Sequence, residues 1–223
     1  MIFISQLFSN PDLFFQQIII VVFAICCHEY MHARVALWQG DPTAADQGHL
    51  TLNPLRQMGP ISLVMLAIVG LAWGQVPVNP QRMKHKYSDA LVSFAGPATN
   101  LGLFIIFSLV IAIIIVVSRK INPSENTTAL IDGIIRFFEF GAILNFALFV
   151  LNMLPAPPLD GWNILCSFFP KIKRSESQLV IFVVFVIVIL GITYIRFIQI
   201  IGYDLCRYLV YYLLSFCKFL GIA

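Results

Sequence analysis

The pentapeptide His28-Glu29-Tyr30-Met31-His32 places two histidines four positions apart with a glutamate directly after the first. On an α-helix, side chains four residues apart lie one above the other, about 5–6 Å between Cβ atoms, so His28 and His32 could bind one metal ion. Glu29 would lie beside that ion, where a general base for a water molecule belongs. Chance produces this pattern in about one in a thousand sequences of this composition. The pattern therefore predicts metal-assisted hydrolysis.

A catalytic zinc ion held by two histidines needs a third protein ligand and keeps its fourth position open. The best candidate is Asp160, which ends the stretch 152–160 directly after an apolar run. Three prolines in that stretch forbid a continuing helix, and broken backbone near a membrane is tolerated where protein or a wet cavity satisfies it. The alternatives are a turn aspartate before Gly161 and, for the histidine motif, a helix end at the membrane interface with Arg34 snorkelling.

The other histidines and the cysteines are weaker candidates for metal ligands. His49 and His85 lie in polar loops beside turn-forming or basic residues, which favours solvated side chains. The five cysteines form no CxxC pair, and free cysteine in an apolar run usually behaves as a small hydrophobe. Cys26 and Cys27 adjoin the histidine motif, and ligation by them is a minor alternative.

Composition predicts that these residues are held inside a membrane. Of 223 residues, 59% are hydrophobic and only 11% charged, whereas a soluble domain has roughly 25% charged residues. The net charge of +3 fits basic loops facing anionic lipid, and we expect no nucleic-acid partner. A span needs about 20 mostly apolar residues. Six apolar segments can be marked: 13–37, 61–74, 89–117, 137–154, 179–200 and 203–220.

The predicted fold is an all-α polytopic membrane protein with five to six transmembrane helices. Segment 61–74 is short and interrupted by a glycine, which favours a re-entrant segment over a full span. That choice brings the ends of the first and fourth spans, which carry the candidate ligands, to the same face. It also leaves nine of the fourteen Lys and Arg residues on the cytoplasmic side, against seven if every segment spanned. Stretch 75–80 has alternating valines between prolines and predicts a possible short β edge strand.

Taken together, these motifs resemble the site-2 protease family of intramembrane zinc metalloproteases. HEYMHA and NMLPAPPLDG, which start at residues 28 and 152, resemble the family's histidine motif and its Leu-Asp-Gly motif. Four stretches between them resemble further signatures of the short bacterial members: GDPTA, GHLTLNPL, PVNP and AGPATN. The similarity runs from about residue 20 to 165, with His49 where arginine is frequent in these loops. We expect no PDZ or CBS domain.

The resemblance implies roles for the polar residues. One Zn²⁺ per chain would have three ligands and one catalytic base: His28, His32, Asp160 and Glu29. Asn100 and Asn152 lie in or at the ends of apolar spans, where an amide could donate to a developing oxyanion or could equally bond one helix to another. If the stretch between the prolines is a strand edge, Val76, Val78 and Asn79 would bind an unwound substrate segment.

The resemblance also implies one membrane-embedded peptidase domain over 1–223, with a core at 13–165 and C-terminal helices at 179–220. The expected function is hydrolysis of a peptide bond in or near the transmembrane segment of a small membrane protein, as in regulated intramembrane proteolysis. The expected partners are that substrate and membrane lipid, while the oligomeric state cannot be derived from the sequence. The expected location is a bacterial cytoplasmic membrane, with the site nearer the cytoplasmic face.

Two alternatives belong to other functional classes. A catalytically silent protein that binds membrane helices would have no need of the base, so the presence of Glu29 argues against it. A metal or proton transporter usually has inverted repeats and charges along several spans. This chain instead clusters its polar groups at one depth.

Overall fold

The computed structural model describes residues 3–121, 123–170, 172 and 178–220, with side chains in the last range described from residue 198 onwards. Within these ranges the chain forms two short 3-10 helices, Phe3–Ser5 and Pro80–Arg82, and nine α-helices. The α-helices are α1 Gln6–Ser9, α2 Pro11–Trp38, α3 Thr43–Asp46, α4 Pro54–Gln57, α5 Gly59–Val69, α6 Ser88–Ile121, α7 Glu125–Asn152, α8 Asp160–Phe168 and α9 Gln178–Phe219.

Helix α2 carries the histidine motif and has clear start signals. The side chain of Asn10 accepts a hydrogen bond from the backbone N–H of Leu13 at 3.1 Å, which caps the first turn. Pro11 opens the helix, where its missing N–H removes no intrahelical bond, and Asp12 complements the positive end of the helix dipole. The helix then runs for 28 residues, long enough to carry the motif well inside an apolar segment.

Four helices among the described residues are long and apolar enough to cross a membrane: Pro11–Trp38, Ser88–Ile121, Glu125–Asn152 and Ile198–Phe219. Between 17% and 28% of the most apolar window of each is buried inside the protein. The remaining apolar surface fits an environment of lipid. The C-terminal segments 179–200 and 203–220, predicted as separate helices, belong to one helix of 42 residues. The only glycine near their junction is Gly202, and a glycine alone weakens a helix by about 1 kcal/mol without ending it.

Helix α5 is only 11 residues long, about 16 Å. It ends at Gly70, whose φ of +82° is the left-handed conformation that a helix C-terminus commonly requires. The chain then turns back. Ser62, inside α5, accepts from the N–H of Trp73 at 2.9 Å and donates to its carbonyl at 2.7 Å. The N–H of Gln75 donates to the carbonyl of Gln57 at 3.0 Å, so the residues on either side of α5 meet.

The possible β edge strand at 75–80 does not form. The described residues contain no β-strand, and the stretch between Gly74 and Pro80 has no regular secondary structure. The physical reason is that a strand needs a ladder of hydrogen bonds to a partner, and this stretch is held by single bonds at its two ends, at Gln75 and Asn79.

The chain divides into two compact units. One consists of residues 1–100 and 148–192, and it contains the histidine motif and Asp160. Its apolar cluster is built from Ile25, Cys26, Met58 and Leu66. The other unit consists of residues 101–147 and 193–223 and packs seven buried side chains: Phe104, Phe107, Ile111, Ala112, Ala142, Cys206 and Val210. The assignment of one peptidase domain over 1–223 stays a prediction.

Candidate metal centre

Helix α2 presents the three residues of the histidine motif as buried side chains. His28 is 8% exposed, Glu29 9% and His32 7%. The two imidazoles lie on one face of the helix with ring centroids 4.6 Å apart, as the four-residue spacing predicts. Buried polar groups of this kind are costly unless other groups satisfy them. Their partners therefore determine what the site can do.

Each imidazole has an oxygen acceptor at its Nδ1 atom. Nδ1 of His28 lies 2.6 Å from Oδ1 of Asn100, and Nδ1 of His32 lies 2.7 Å from the backbone carbonyl of Val92. Since a carbonyl oxygen can only accept, the proton of each neutral ring belongs on Nδ1. The Nε2 lone pairs are then left for a metal ion. Such outer hydrogen bonds fix the tautomer and the orientation of histidine ligands.

Asp160 is the third residue at this point. It is the first residue of α8, directly after the proline-broken stretch that follows α7. Its Oδ2 lies 3.1 Å from Nε2 of His28, and its Oδ1 lies 3.4 Å from Nε2 of His32. The next residue, Gly161, packs against the carbonyls of Met153 and Leu154, and a Cβ there would come within 2.4–2.5 Å of both. A glycine after Asp160 therefore lets the broken stretch fold back beneath the carboxylate.

The donor set fits a zinc ion. The Nε2 atoms of His28 and His32 are only 2.9 Å apart, and with both protons on Nδ1 two lone pairs face each other across that distance. A cation between them and the carboxylate removes this repulsion. Ligand atoms in a tetrahedral zinc site with bonds of about 2.1 Å lie about 3.4 Å apart, close to the separations here. Among the described residues, His28, His32 and Asp160 are the group that could hold a metal ion together.

The electrostatics of Asp160 suit a metal ligand. Burial raises the pKa of this carboxyl, but hydrogen bonds and charge from His28 and His32, when these rings also carry a proton on Nε2, outweigh burial and hold the pKa at about 2. The side chain is therefore a carboxylate over the physiological pH range, and a carboxylate is the form that binds a metal ion.

A cavity of about 700 Å³ opens onto these residues. It is lined by His28, Glu29 and His32 of α2, by 72–76 and Val78 from the stretch after α5, and by Asp89 and Ser93 from α6. Residues from the end of α7 and the start of α8 complete the lining: Leu148, Leu151, Asn152, Pro158, Leu159, Asp160 and Asn163. Its walls combine aliphatic side chains with a few carboxylates and amides. Such a cavity can hold a short extended segment of polypeptide against the metal centre.

The residues predicted to bind substrate occupy different places around this cavity. Val76, Val78 and Asn152 line it. Asn100 is completely buried, with its amide oxygen directed at His28. The backbone N–H of Asn79 donates to Oδ2 of Asp41. Their roles toward a substrate stay predictions. His49 and His85 are not part of the metal-binding group found among the described residues.

The sequence did not indicate how several residues contact the centre, although Gly96 lies in the AGPATN stretch. Val92 contributes only a backbone carbonyl, and Gly74 and Gly96 contribute only the absence of a side chain. Asp41 could have been found, because an acidic residue in a Gly-Asp-Pro-Thr turn is a typical acceptor for local backbone N–H groups. The contacts of Val92, Gly74 and Gly96 with the centre depend on how α6 and the stretch after α5 pack against α2.

A buried cluster of two histidines and an aspartate among apolar helices is typical of a metallopeptidase embedded in a membrane, and comparison with known proteins gives the family. The sequence profile of peptidase family M50 matches residues 16–192, so the chain belongs to this family of site-2 proteases. It is an integral membrane protein with zinc as cofactor, and the resemblance deduced from the motifs is confirmed.

Two sets of relatives carry zinc metalloprotease names, which are provisional in each case. The chain is 35% identical to YwhC of Bacillus subtilis over 176 residues, which are 76% of this chain and 78% of that protein. It is 31% and 34% identical to Rip2 of Mycolicibacterium smegmatis and of Mycobacterium tuberculosis over 149 residues. That alignment covers 64% of this chain and 52% of Rip2, so the chain spans about half of Rip2. No solved structure matches the chain significantly.

Proposed function

We propose that this chain is a zinc-dependent endopeptidase that hydrolyses a peptide bond in or near the transmembrane segment of a small membrane protein. The observation that carries the proposal is the convergence of His28, His32 and Asp160 on one point of a cavity that Glu29 also lines. These residues come from α2 and from the start of α8, within an otherwise apolar helical protein. Membership of family M50 and the names of the relatives support the same activity.

Zinc held by the two imidazoles and the carboxylate would supply a Lewis acid that lowers the pKa of a water molecule and polarises the scissile carbonyl. Glu29 follows His28 directly and is buried in the same cavity, so its carboxylate can hold the attacking water and accept a proton from it. The water oxygen forms a bond to the carbonyl carbon, and the C–N bond breaks. Glu29 then transfers the accepted proton to the departing nitrogen, which completes an amine and a carboxylic acid.

The remaining polar residues would stabilise negative charge on the carbonyl oxygen. Asn152 lines the cavity close to the end of α7, and its amide can donate to such an oxygen. Asn100 already presents its amide oxygen to His28, which suits it to orient a ligand.

The substrate class follows from the setting of the cavity. The cavity opens among helices whose outer surfaces are apolar, and one wall is the irregular stretch that contains Val76 and Val78. A transmembrane helix must unwind before its peptide bonds are accessible, and an extended segment can then use backbone groups along an irregular wall. We therefore propose a transmembrane protein as substrate, cleaved in a bacterial cytoplasmic membrane with the site nearer the cytoplasm.

The test separates metal binding from catalysis. Purified wild-type protein and Glu29→Gln would be assayed for zinc content and for cleavage of a reconstituted transmembrane substrate. Glu29→Gln should keep about one zinc per chain and lose cleavage by at least about 100-fold, because the base is removed and the ligands are not. Cleavage by Glu29→Gln at a rate close to wild type would contradict the mechanism. A wild-type protein that binds zinc but cleaves no membrane substrate would favour the silent binding protein.

A second pair of variants tests the ligand set. Asp160→Ala should lose zinc along with activity, whereas His49→Ala and His85→Ala should keep the zinc content of wild type. Retention of tightly bound zinc by Asp160→Ala would contradict the assignment of the third ligand.

A further inference from the structure

Helix α6 approaches the metal centre through three positions that are four residues apart. The carbonyl of Val92 accepts from His32, the side chain of Asn100 accepts from His28, and Gly96 lies between them. Positions spaced by four lie on one face of a helix. The same face of α6 therefore orients both imidazoles and brings its backbone against them.

At Gly96 there is no room for a side chain in this arrangement. A Cβ would lie 2.3 Å from Nε2 of His32 and 2.4 Å from Nε2 of His28, with Cε1 of His28 at 2.5 Å. Non-bonded contacts of this kind are favourable near about 3.5 Å, so the rings would have to move by about 1 Å. The atoms displaced are the two that face Asp160 and that would bind the metal ion.

Gly74 stands in the same relation to the catalytic base. A Cβ there would lie 2.3 Å from Cγ of Glu29, 2.4 Å from its Oε1 and 2.5 Å from its Cδ. The backbone of Gly74 has little freedom to move away from Glu29, because both neighbouring residues are held by hydrogen bonds. The hydroxyl of buried Ser62 accepts a hydrogen bond from the N–H of Trp73 and donates one to its carbonyl. The N–H of Gln75 donates to the carbonyl of Gln57. The backbone at Gly74 thus forms a fixed wall beside the carboxylate.

We propose that Gly96 and Gly74 are positioning residues for the two halves of the site, Gly96 for the metal ligands and Gly74 for the base. This proposal rests on the function proposed above. A methyl group at Gly96 moves the Nε2 atoms away from the common point and weakens zinc binding. A methyl group at Gly74 moves the carboxylate of Glu29 and slows proton transfer, while the zinc ligands stay in place. The two substitutions therefore have separable consequences.

The experiment compares Gly96→Ala, Gly74→Ala and the control Gly102→Ala in detergent-purified full-length protein. Gly102 lies on the same helix as Gly96, and a Cβ there has no atom within 4 Å. Zinc affinity would be measured by competition with a chromogenic chelator, and kcat and KM with a transmembrane substrate. Gly96→Ala should lower zinc affinity at least about 10-fold. Gly74→Ala should keep wild-type zinc affinity and KM and lower kcat about 100-fold. Gly102→Ala should match wild type throughout.

Double-mutant cycles measured by thermal unfolding test the proposal even if a variant folds poorly or if wild-type protein cleaves no substrate. The three atoms nearest to a Cβ at Gly96 belong to His28 and His32, and the three nearest to a Cβ at Gly74 belong to Glu29. In metal-free protein, Gly96→Ala should therefore lower the thermal unfolding temperature in the wild-type background but not with both histidines replaced by alanine. Gly74→Ala should likewise lower the unfolding temperature when Glu29 is present, but not in the Glu29→Ala background.

Each outcome decides one part of the proposal. Wild-type zinc affinity in Gly96→Ala, or a loss of stability that persists without the imidazoles, overturns the role of Gly96. An unchanged kcat in Gly74→Ala, or a stability loss that persists without Glu29, overturns the role of Gly74. If wild-type protein binds zinc but cleaves no substrate, the proposed function fails. The zinc affinity of Gly96→Ala and the two cycles still test the positions of the glycines.

Discussion

The backbone N–H of Asn79 donates to Oδ2 of Asp41 across 2.6 Å. The other oxygen of this carboxylate accepts from the N–H of Thr43 at 3.0 Å and from its hydroxyl at 2.5 Å. Asp41 is completely buried and lies three residues after the end of α2. It therefore joins the helix that carries the histidine motif to the far end of the stretch that lines the cavity.

Asp41→Asn should impair substrate binding more than chemistry. Asparagine replaces one acceptor oxygen by an amide donor, which would face the N–H donors that the carboxylate now satisfies. The stretch containing Val76 and Val78 loses its anchor at Asn79, so KM should rise about tenfold or more while zinc content is unchanged. The measurement is steady-state cleavage together with metal analysis. Asp46→Asn, an exposed acid in α3, is the matched control, and equal kinetics in the two variants would contradict the anchoring role.

The same carboxylate predicts a dependence of stability on pH. Burial raises the pKa of Asp41, but hydrogen bonds from Thr43 and Asn79 and the charge of Arg82 outweigh burial and lower it below its ordinary value. A group with a lowered folded pKa stabilises the protein above its unfolded pKa, about 3.9, and loses that contribution as the pH falls through the folded value.

At pH 7, the free energy of unfolding of wild type should therefore exceed that of Asp41→Asn by about 1.5–3 kcal/mol. Wild type should accordingly unfold at a higher temperature. The difference should shrink as the pH falls below about 4. Thermal unfolding of both proteins in detergent between pH 7 and pH 3 measures it. A difference that is constant over this range would show that the ionised form of Asp41 has no special role.

Much of this centre could be predicted from the sequence, because its main signals are local. The spacing of His28 and His32 requires only that the segment be helical, and Asp160 follows a break that prolines enforce on any backbone. The partners of the imidazoles could not be derived, since a valine carbonyl has no signature of its own. The match of Val92 and Asn100 to the two rings depends on the register between α6 and α2. Register is set by packing across many residues, which sequence spacing does not encode.

The same distinction explains the two corrections to the fold. Alternating valines between prolines predicted a short strand at 75–80, but a strand also requires a partner strand, and none is present among the described residues. In the C-terminal part, the prediction of two segments, 179–200 and 203–220, is wrong because both belong to the single helix α9. Gly202 instead lies inside α9 and packs against the ring of Phe146, where a Cβ would come within 3.0 Å. A close contact accounts for that glycine better than a turn does.

The hydrogen bond between His28 and Asn100 predicts that two substitutions of Asn100 differ in their effect on zinc affinity. Asn100→Ala removes the acceptor that holds the Nδ1 proton of His28, so zinc affinity should fall about 10- to 100-fold. Asn100→Asp keeps an acceptor oxygen at the same position and should retain the affinity of wild type within a few-fold. Zinc competition assays measure both. Equal losses in the two variants would contradict the orienting role. Retained zinc with strongly reduced kcat in Asn100→Asp would instead favour the amide as a donor to the oxyanion.

The last prediction concerns how α5 lies in the membrane. The hydrogen bond from Gln75 to Gln57 joins the chain on the two sides of α5, and 11 helical residues cover only about 16 Å of the roughly 30 Å hydrocarbon core. We therefore predict that α5 enters the membrane and that the chain returns to the same side.

Single cysteines at exposed Arg56 and Lys86, in a background without the five native cysteines, test this arrangement. The thiol reagent must reach each cysteine, so exposed positions are needed. The neighbouring side chains of Gln57 and Ser88 are only 1% and 0% exposed. In intact cells both cysteines should resist an impermeant thiol reagent and should react once the membrane is opened. External labelling of Lys86→Cys with internal labelling of Arg56→Cys would make the segment a full span. The bond between Gln57 and Gln75 would then have to cross about 30 Å of hydrocarbon, which no hydrogen bond can do.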